Sequence, residues 1–226
     1  MRVLLIPCVA FCSLAVSGCS AVYSANLLNT SQDAVEEPAL AGRWVSSDND
    51  DDLCIFKADG NTYTMTVSDK ELQTGADVTS PTDAQSPKSQ KLVETFQITL
   101  VRLNDQLFAD MIASGQLLDN KEIEPQVGAM RHHLLLKLEL TDSDLAYSAL
   151  DKDAIREAGK QGYAPLSYVE IHDDVLLTAS TDDLRWSLSH YADRLFGEVG
   201  HYTRATDNNP DGSTTSPCNA ISSSTQ

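Results

Sequence analysis

Positive charge is scarce in this sequence: its 226 residues include 16 Lys and Arg against 33 Asp and Glu, for a formal net charge of −17. A protein that binds a phosphate backbone needs clustered cations to displace counterions, and one adsorbed electrostatically on anionic lipid needs a polybasic patch. Both are excluded. No apolar run reaches the ~18–20 residues that a membrane-spanning helix requires. The motifs of common catalytic sites are missing as well. There is no G-x-S-x-G elbow, no H-E-x-x-H and no paired Cys/His spacing. The acidic run Asp48-Asn49-Asp50-Asp51-Asp52 lacks the alternating ligands, central glycine and terminal glutamate of a calcium loop, and reads as a solvated turn. His132 and His133 are adjacent, so in a strand they point to opposite faces, while His172, His190 and His201 fall in separate elements. No catalytic residue, metal or cofactor is expected from these patterns.

The first segment carries the clearest signal. Met1-Arg2 is a short basic start, Val3 to Val16 is almost wholly apolar, and Ser17-Gly18-Cys19 closes the run with small residues, as in a secretory signal peptide. Val16-Ser17-Gly18-Cys19 resembles the bacterial lipobox. That resemblance implies that Cys19 is acylated on sulfur and becomes the mature N-terminus. Each buried methylene of an attached chain contributes ~0.8 kcal/mol, so two or three chains hold a protein on a membrane essentially permanently. Ser20 rather than Asp follows the cysteine, and by the same resemblance this favours an outer-membrane lipoprotein facing the periplasm.

Of the five cysteines, Cys8 and Cys12 fall in the signal and Cys19 is the lipidation site, which leaves Cys54 and Cys218. In an oxidising periplasm two such thiols usually pair, and a bridge closing so long a loop stabilises by roughly 4–5 kcal/mol on the chain-entropy model. Two independent thiols are the alternative. The chain divides into a signal over 1–18, a lipidated cysteine and flexible tether over 19–39, one β-rich domain over 40–205 and a flexible tail over 206–226. Fully extended at ~3.3 Å per residue, the tether would let the domain stand up to ~65 Å from the lipid.

Strand patterns dominate the domain. Gly42 to Val45 opens it. Leu53 to Lys57 and Thr62 to Ser68 flank Asp59-Gly60, a strong hairpin signal, and Asp69 to Lys91 reads as a long polar loop. Leu92 to Leu103 places Phe96, Ile98 and Leu100 on one face, Asn104-Asp105 turns the chain, and Gln106 to Ile112 returns. From His132 to Leu140 four leucines, 134, 136, 138 and 140, share a face; Leu145 to Leu150 follows a polar turn. Leu166 to Ile171 and Val175 to Ala179 form a further hairpin, and Glu198 to Arg204 a last strand. Two helices are expected. Asp151 to Ala158 ends at Gly159. Asp182 to Phe196 aligns Leu184, Leu188, Tyr191 and Leu195, with Gly197 as its stop. The fold class is mainly β: an antiparallel meander closed or curled into a barrel-like sheet, with a helix of the C-terminal half packed on it.

Gly42-Arg43-Trp44 is similar to the G-x-W of the first lipocalin strand. In lipocalins that tryptophan closes one end of a barrel beneath a late arginine, and Arg204 stands where such a partner would be, through a cation–π contact. The resemblance implies a barrel able to hold an apolar ligand. The function expected is therefore a lipid-anchored binding or structural module, favoured over an enzyme, with the membrane as partner through Cys19 and an apolar small ligand or an envelope protein as a further partner. An envelope hydrolase, with a site assembled on folding from separate carboxylates and histidines, is the alternative.

Overall fold

A computed structural model describes residues 21–30, 33–47, 51–69, 92–118, 121–123 and 132–205. Before the barrel come β1 (Val22–Ser24), β2 (Ala34–Val35) and a single 3₁₀ turn (Pro38–Leu40). Next are β3 (Gly42–Ser46), β4 (Asp51–Lys57), β5 (Thr62–Asp69), β6 (Leu92–Leu103), β7 (Gln106–Leu118) and β8 (Lys121–Ile123). The remainder is β9 (His133–Leu140), β10 (Asp144–Leu150), α1 (Lys152–Gln161), β11 (Tyr168–Ile171), β12 (Asp174–Leu177), α2 (Thr181–Leu195) and β13 (Phe196–Arg204).

Eight of these strands close a barrel. β3, β4, β5, β6, β7, β9, β10 and β13 pair in that order, each antiparallel to the next, and β13 returns to β3. The strands are wound as a meander because alternating sequences supply one apolar face per strand, and short turns join β4 to β5, β6 to β7 and β9 to β10. In the Asn104-Asp105 turn both residues take positive φ, 45° and 65°, as the commonest two-residue hairpin requires. Inward-facing Leu53, Ile55, Tyr63, Met65, Ile98, Leu100, Leu107, Met111 and Leu138 belong to one core inside the barrel.

A second core lies against the outside of the wall. Val101, Leu103, Phe108 and Leu135 alternate with the inward residues and pack with Ile155, Leu184, Leu188 and Leu195 of the helices. Each of these fully buried leucines contributes about 1.5–3 kcal/mol relative to exposure, so the helical layer is held by burial of its stripe. Local signals place its ends. Asp151 Oδ1 accepts the Ala154 amide at 2.7 Å, the Ser180 hydroxyl accepts the Asp183 amide at 3.2 Å, and Gly162, at φ 67°, ends α1 in the left-handed conformation.

Several expectations are corrected. The tether proposed for 19–39 is largely built into the fold. β1 lies parallel to β12 and meets β9, and β2 extends the wall beside β6. Short segments without periodicity join a sheet by backbone pairing, which leaves no hydrophobic pattern to read. The helix expected to end at Gly159 continues to Gln161; Gly159 lies beneath the Tyr168 ring, where a Cβ would stand 2.8 Å from Cε1. Gly197 does not stop α2, because the chain passes from Leu195 directly into β13, pairing Phe196 with Leu150. The signal 1–18, Cys19, most of the loop expected over 69–91 and the tail 206–226 with Cys218 lie outside the described residues.

Candidate ligand cavity and its closed end

The G-x-W strand closes one end of the barrel. Trp44 is fully buried, and its indole Nε1–H donates to the Leu40 carbonyl at 2.9 Å, which fixes the 3₁₀ turn across the opening. Arg204 approaches from β13, its guanidinium carbon 4.2 Å from the Trp44 ring centre. Its nitrogens donate to the carbonyls of Asp142 at 2.6 Å and Ala41 at 2.9 Å, and to that of Ala39. Gly42 sits at φ 150°, and a Cβ on it would overlap Arg204 Nη1. The Tyr63 hydroxyl accepts the Glu37 amide at 2.8 Å, and Arg102 pairs with Glu37 at 3.0 Å. Gly42, Trp44 and Arg204, read from sequence as one structural group, are thus brought together.

Above this plug the interior is not filled. A cavity of about 220 Å³ remains, lined by Ile55, Met65, Phe96, Met111, Leu136 and others of the same apolar character. Tyr147 and Tyr202 supply the hydroxyl-bearing part of the lining, with ring centres 5.7 Å apart. Gly200, opposite Tyr147 in the ladder, leaves room for that ring, since a Cβ there would overlap it. Phe96 was legible from alternation; Tyr147, Tyr202 and Gly200 were not singled out, although their period-two spacing on neighbouring strands is the signal that places them inside.

A second polar cluster lies on the outer wall. His133 Nδ1 and Asp110 Oδ1 are 2.5 Å apart, both residues buried, and Asp110 Oδ2 accepts the Leu28 amide at 2.7 Å. The carboxylate therefore ties β7, β9 and the segment after β1 together. His133 also borders an open pocket of about 570 Å³ with Asn26, Thr30, Ser180 and Thr181. The nearby Ser24 hydroxyl is engaged with the Asn26 backbone, donating to its carbonyl at 2.7 Å. Sequence reading missed the Asp110–His133 pair; both alternate outward among apolar inward neighbours, the one pattern that could have marked it.

The remaining candidates are dispersed. Cys54 is disulfide-bonded, with its partner outside the described residues, and faces outward between the inward Leu53 and Ile55. His132 lies beside Tyr23, with rings 5.5 Å apart; His172 is in the β11–β12 turn at φ 56°; His190 stacks on Trp186 at 4.5 Å; His201 is exposed on β13. No group of three or more metal-binding side chains forms among the described residues, and no described helix is long and apolar enough to cross a membrane. Comparison with protein-family models, curated proteins and solved structures gave no match.

Proposed function

We propose that the protein is a lipid-anchored outer-membrane lipoprotein, facing the periplasm, whose barrel carries a small apolar ligand. The observation that supports the carrier reading is the cavity of about 220 Å³ left inside a barrel with one end plugged. Sites for drug-sized ligands usually measure about 300–1,000 Å³, so the ligand is small, of the order of a short acyl chain. The apolar wall supplies its affinity by burial, and Tyr147 and Tyr202 are the groups able to orient a polar end. The anchor rests on the lipobox-like Val16-Ser17-Gly18-Cys19.

Native mass spectrometry of the protein purified from envelopes tests the carrier reading. A bound species released by organic solvent and identified as a fatty acid or similar chain supports it; an empty barrel that takes up no member of a lipid panel contradicts it. The intact mass tests the anchor independently, since a mature chain beginning at an unmodified Cys19 would remove it.

A further inference from the structure

We infer that the hairpin of β11 and β12, led by Ile171 and Val169, is the surface that lies against the lipid bilayer. This rests on the anchoring of Cys19 proposed above and adds where the domain touches the membrane.

Little chain separates Cys19 from the fold. Ala21 is already fixed: its N–H donates to Asp174 Oδ1 at 2.9 Å, and its carbonyl accepts the Val175 amide at 3.1 Å. From Val22 the chain is paired with β12. Two residues span at most about 7 Å, so the acylated cysteine is confined to that distance from Ala21. A lipid anchor attached there cannot hold the domain off the membrane; it brings the turn end of the hairpin down to the surface.

That end presents aliphatic side chains on one face. Register pairs Ile171 with Asp174 and Val169 with Leu176, while β1 sets Tyr23 beside Leu176. These residues share one face of the three-strand extension, because side chains directly opposite in a ladder point the same way. The other face carries Tyr168, Val175, Leu177 and Val22 and packs on the helices. Ile171 and Val169 are 42% and 46% exposed, two large aliphatic side chains on the strand that lies beyond β12 from the anchor-bearing β1. Among the described residues β11 is also the last strand of its sheet, an edge that proteins ordinarily cover or charge. Glu170, between the two aliphatic residues, points to the opposite, helix-bearing face and is held by Arg156 of α1 at 2.9 Å, while the Asp174 carboxylate on the outer face accepts the Ala21 amide. With a net charge of −17 the protein gains nothing from anionic headgroups, so an apolar contact is the form that membrane apposition takes here.

The test uses the full chain, expressed and processed in a bacterial envelope, then reconstituted in vesicles of phosphatidylethanolamine and phosphatidylglycerol containing a brominated phosphatidylcholine. Trp186→Phe removes the exposed native tryptophan, and Ile171→Trp, Val169→Trp or Val199→Trp is added singly. Val199 is the control, exposed on β13 five strands along the sheet from β11. Bromine quenching of Ile171→Trp and Val169→Trp, with Val199→Trp unquenched, is the expected result. Equal emission at all three positions in a protein that floats with the vesicles overturns the contact while leaving the anchor standing. So does burial of β11 by a bound protein instead of lipid. A chain that remains in the aqueous fraction with Cys19 unacylated fails at the anchor itself and takes this inference with it.

Discussion

The guanidinium of Arg204 lies over the Trp44 ring, 4.2 Å from its centre, and the same side chain donates to the carbonyl of Ala39 within the 3₁₀ turn and to that of Ala41 directly after it. One arginine from the last barrel strand thus locks the segment that plugs the barrel to the first barrel strand.

Arg204→Ala removes a cation–π contact and charge-assisted hydrogen bonds, and is expected to cost about 2–4 kcal/mol. Arg204→Lys recovers only part of this, because an ammonium cannot reproduce the planar fork. Gly42→Ala, at a left-handed φ beneath the guanidinium, is expected to cost about 1–3 kcal/mol. Urea unfolding followed by Trp44 emission in a Trp186→Phe background measures all three; an unchanged midpoint in Arg204→Ala would show that the plug does not depend on this contact.

Asp110 binds both His133 and the Leu28 amide. Removing a buried acceptor and leaving its donors unpaired costs about 1–3 kcal/mol, more where a charged group is orphaned, so Asp110→Ala is expected to fall in or above that range. Asp110→Asn loses less, since its amide oxygen can still accept from Leu28. Hydrogen exchange at the Leu28 amide should accelerate in Asp110→Ala well beyond the rest of the barrel. Retained protection at Leu28 would show that the segment is held by other contacts.

The hydrogen bonds from Arg156 hold the Glu170 carboxyl below the ordinary glutamate range. A pKa lowered in the folded state gives stabilisation that is fully present above the unfolded value and lost as pH falls through the folded one. The stability difference between wild type and Glu170→Gln should therefore be constant at neutral pH and vanish in the acid range. Both partners are solvent-exposed, so the effect is small. NMR titration of the Glu170 carboxyl reads it directly: its midpoint lies below that of a free glutamate and rises in Arg156→Ala.

Cys54 stands on the outer wall in a disulfide. Peptide mapping without reductant is expected to join it to Cys218, and reduction to lower stability by about 2–5 kcal/mol. A Cys54 peptide joined to another cysteine would reassign the bridge; reduction without loss of stability would show that it constrains little.

The barrel was legible because each wall strand carries its own period-two pattern: Tyr63, Met65 and Val67 on β5, or the four alternating leucines of β9, turn one face inward whatever their neighbours do. Closure at Trp44 was legible from Gly42 and Arg204. What escaped was set by pairing rather than patterning. β1 is three residues long and docks through its backbone on β12, so Ala21 to Ser24 read as a tether. Gly159 read as a helix stop because its use, accommodating the Tyr168 ring, depends on a strand that follows later in the chain. Asp110 and His133 meet only when β7 and β9 pair in the closing barrel, and nothing in their separate sequences announces the other.

Reception of an apolar chain by the barrel interior is the proposed use of the cavity. Titration of a fluorescent fatty acid into the wild type and into Ala109→Phe tests it most directly, because Ala109 is buried and lines the cavity. The added ring costs about 1–3 kcal/mol of stability, and Val67→Phe on another strand provides a second filled interior should the first fail to fold. Saturable one-to-one binding by the wild type, lost in the folded filled variants, is the result predicted here. Absence of saturable binding, or binding that survives filling of the cavity, would contradict it.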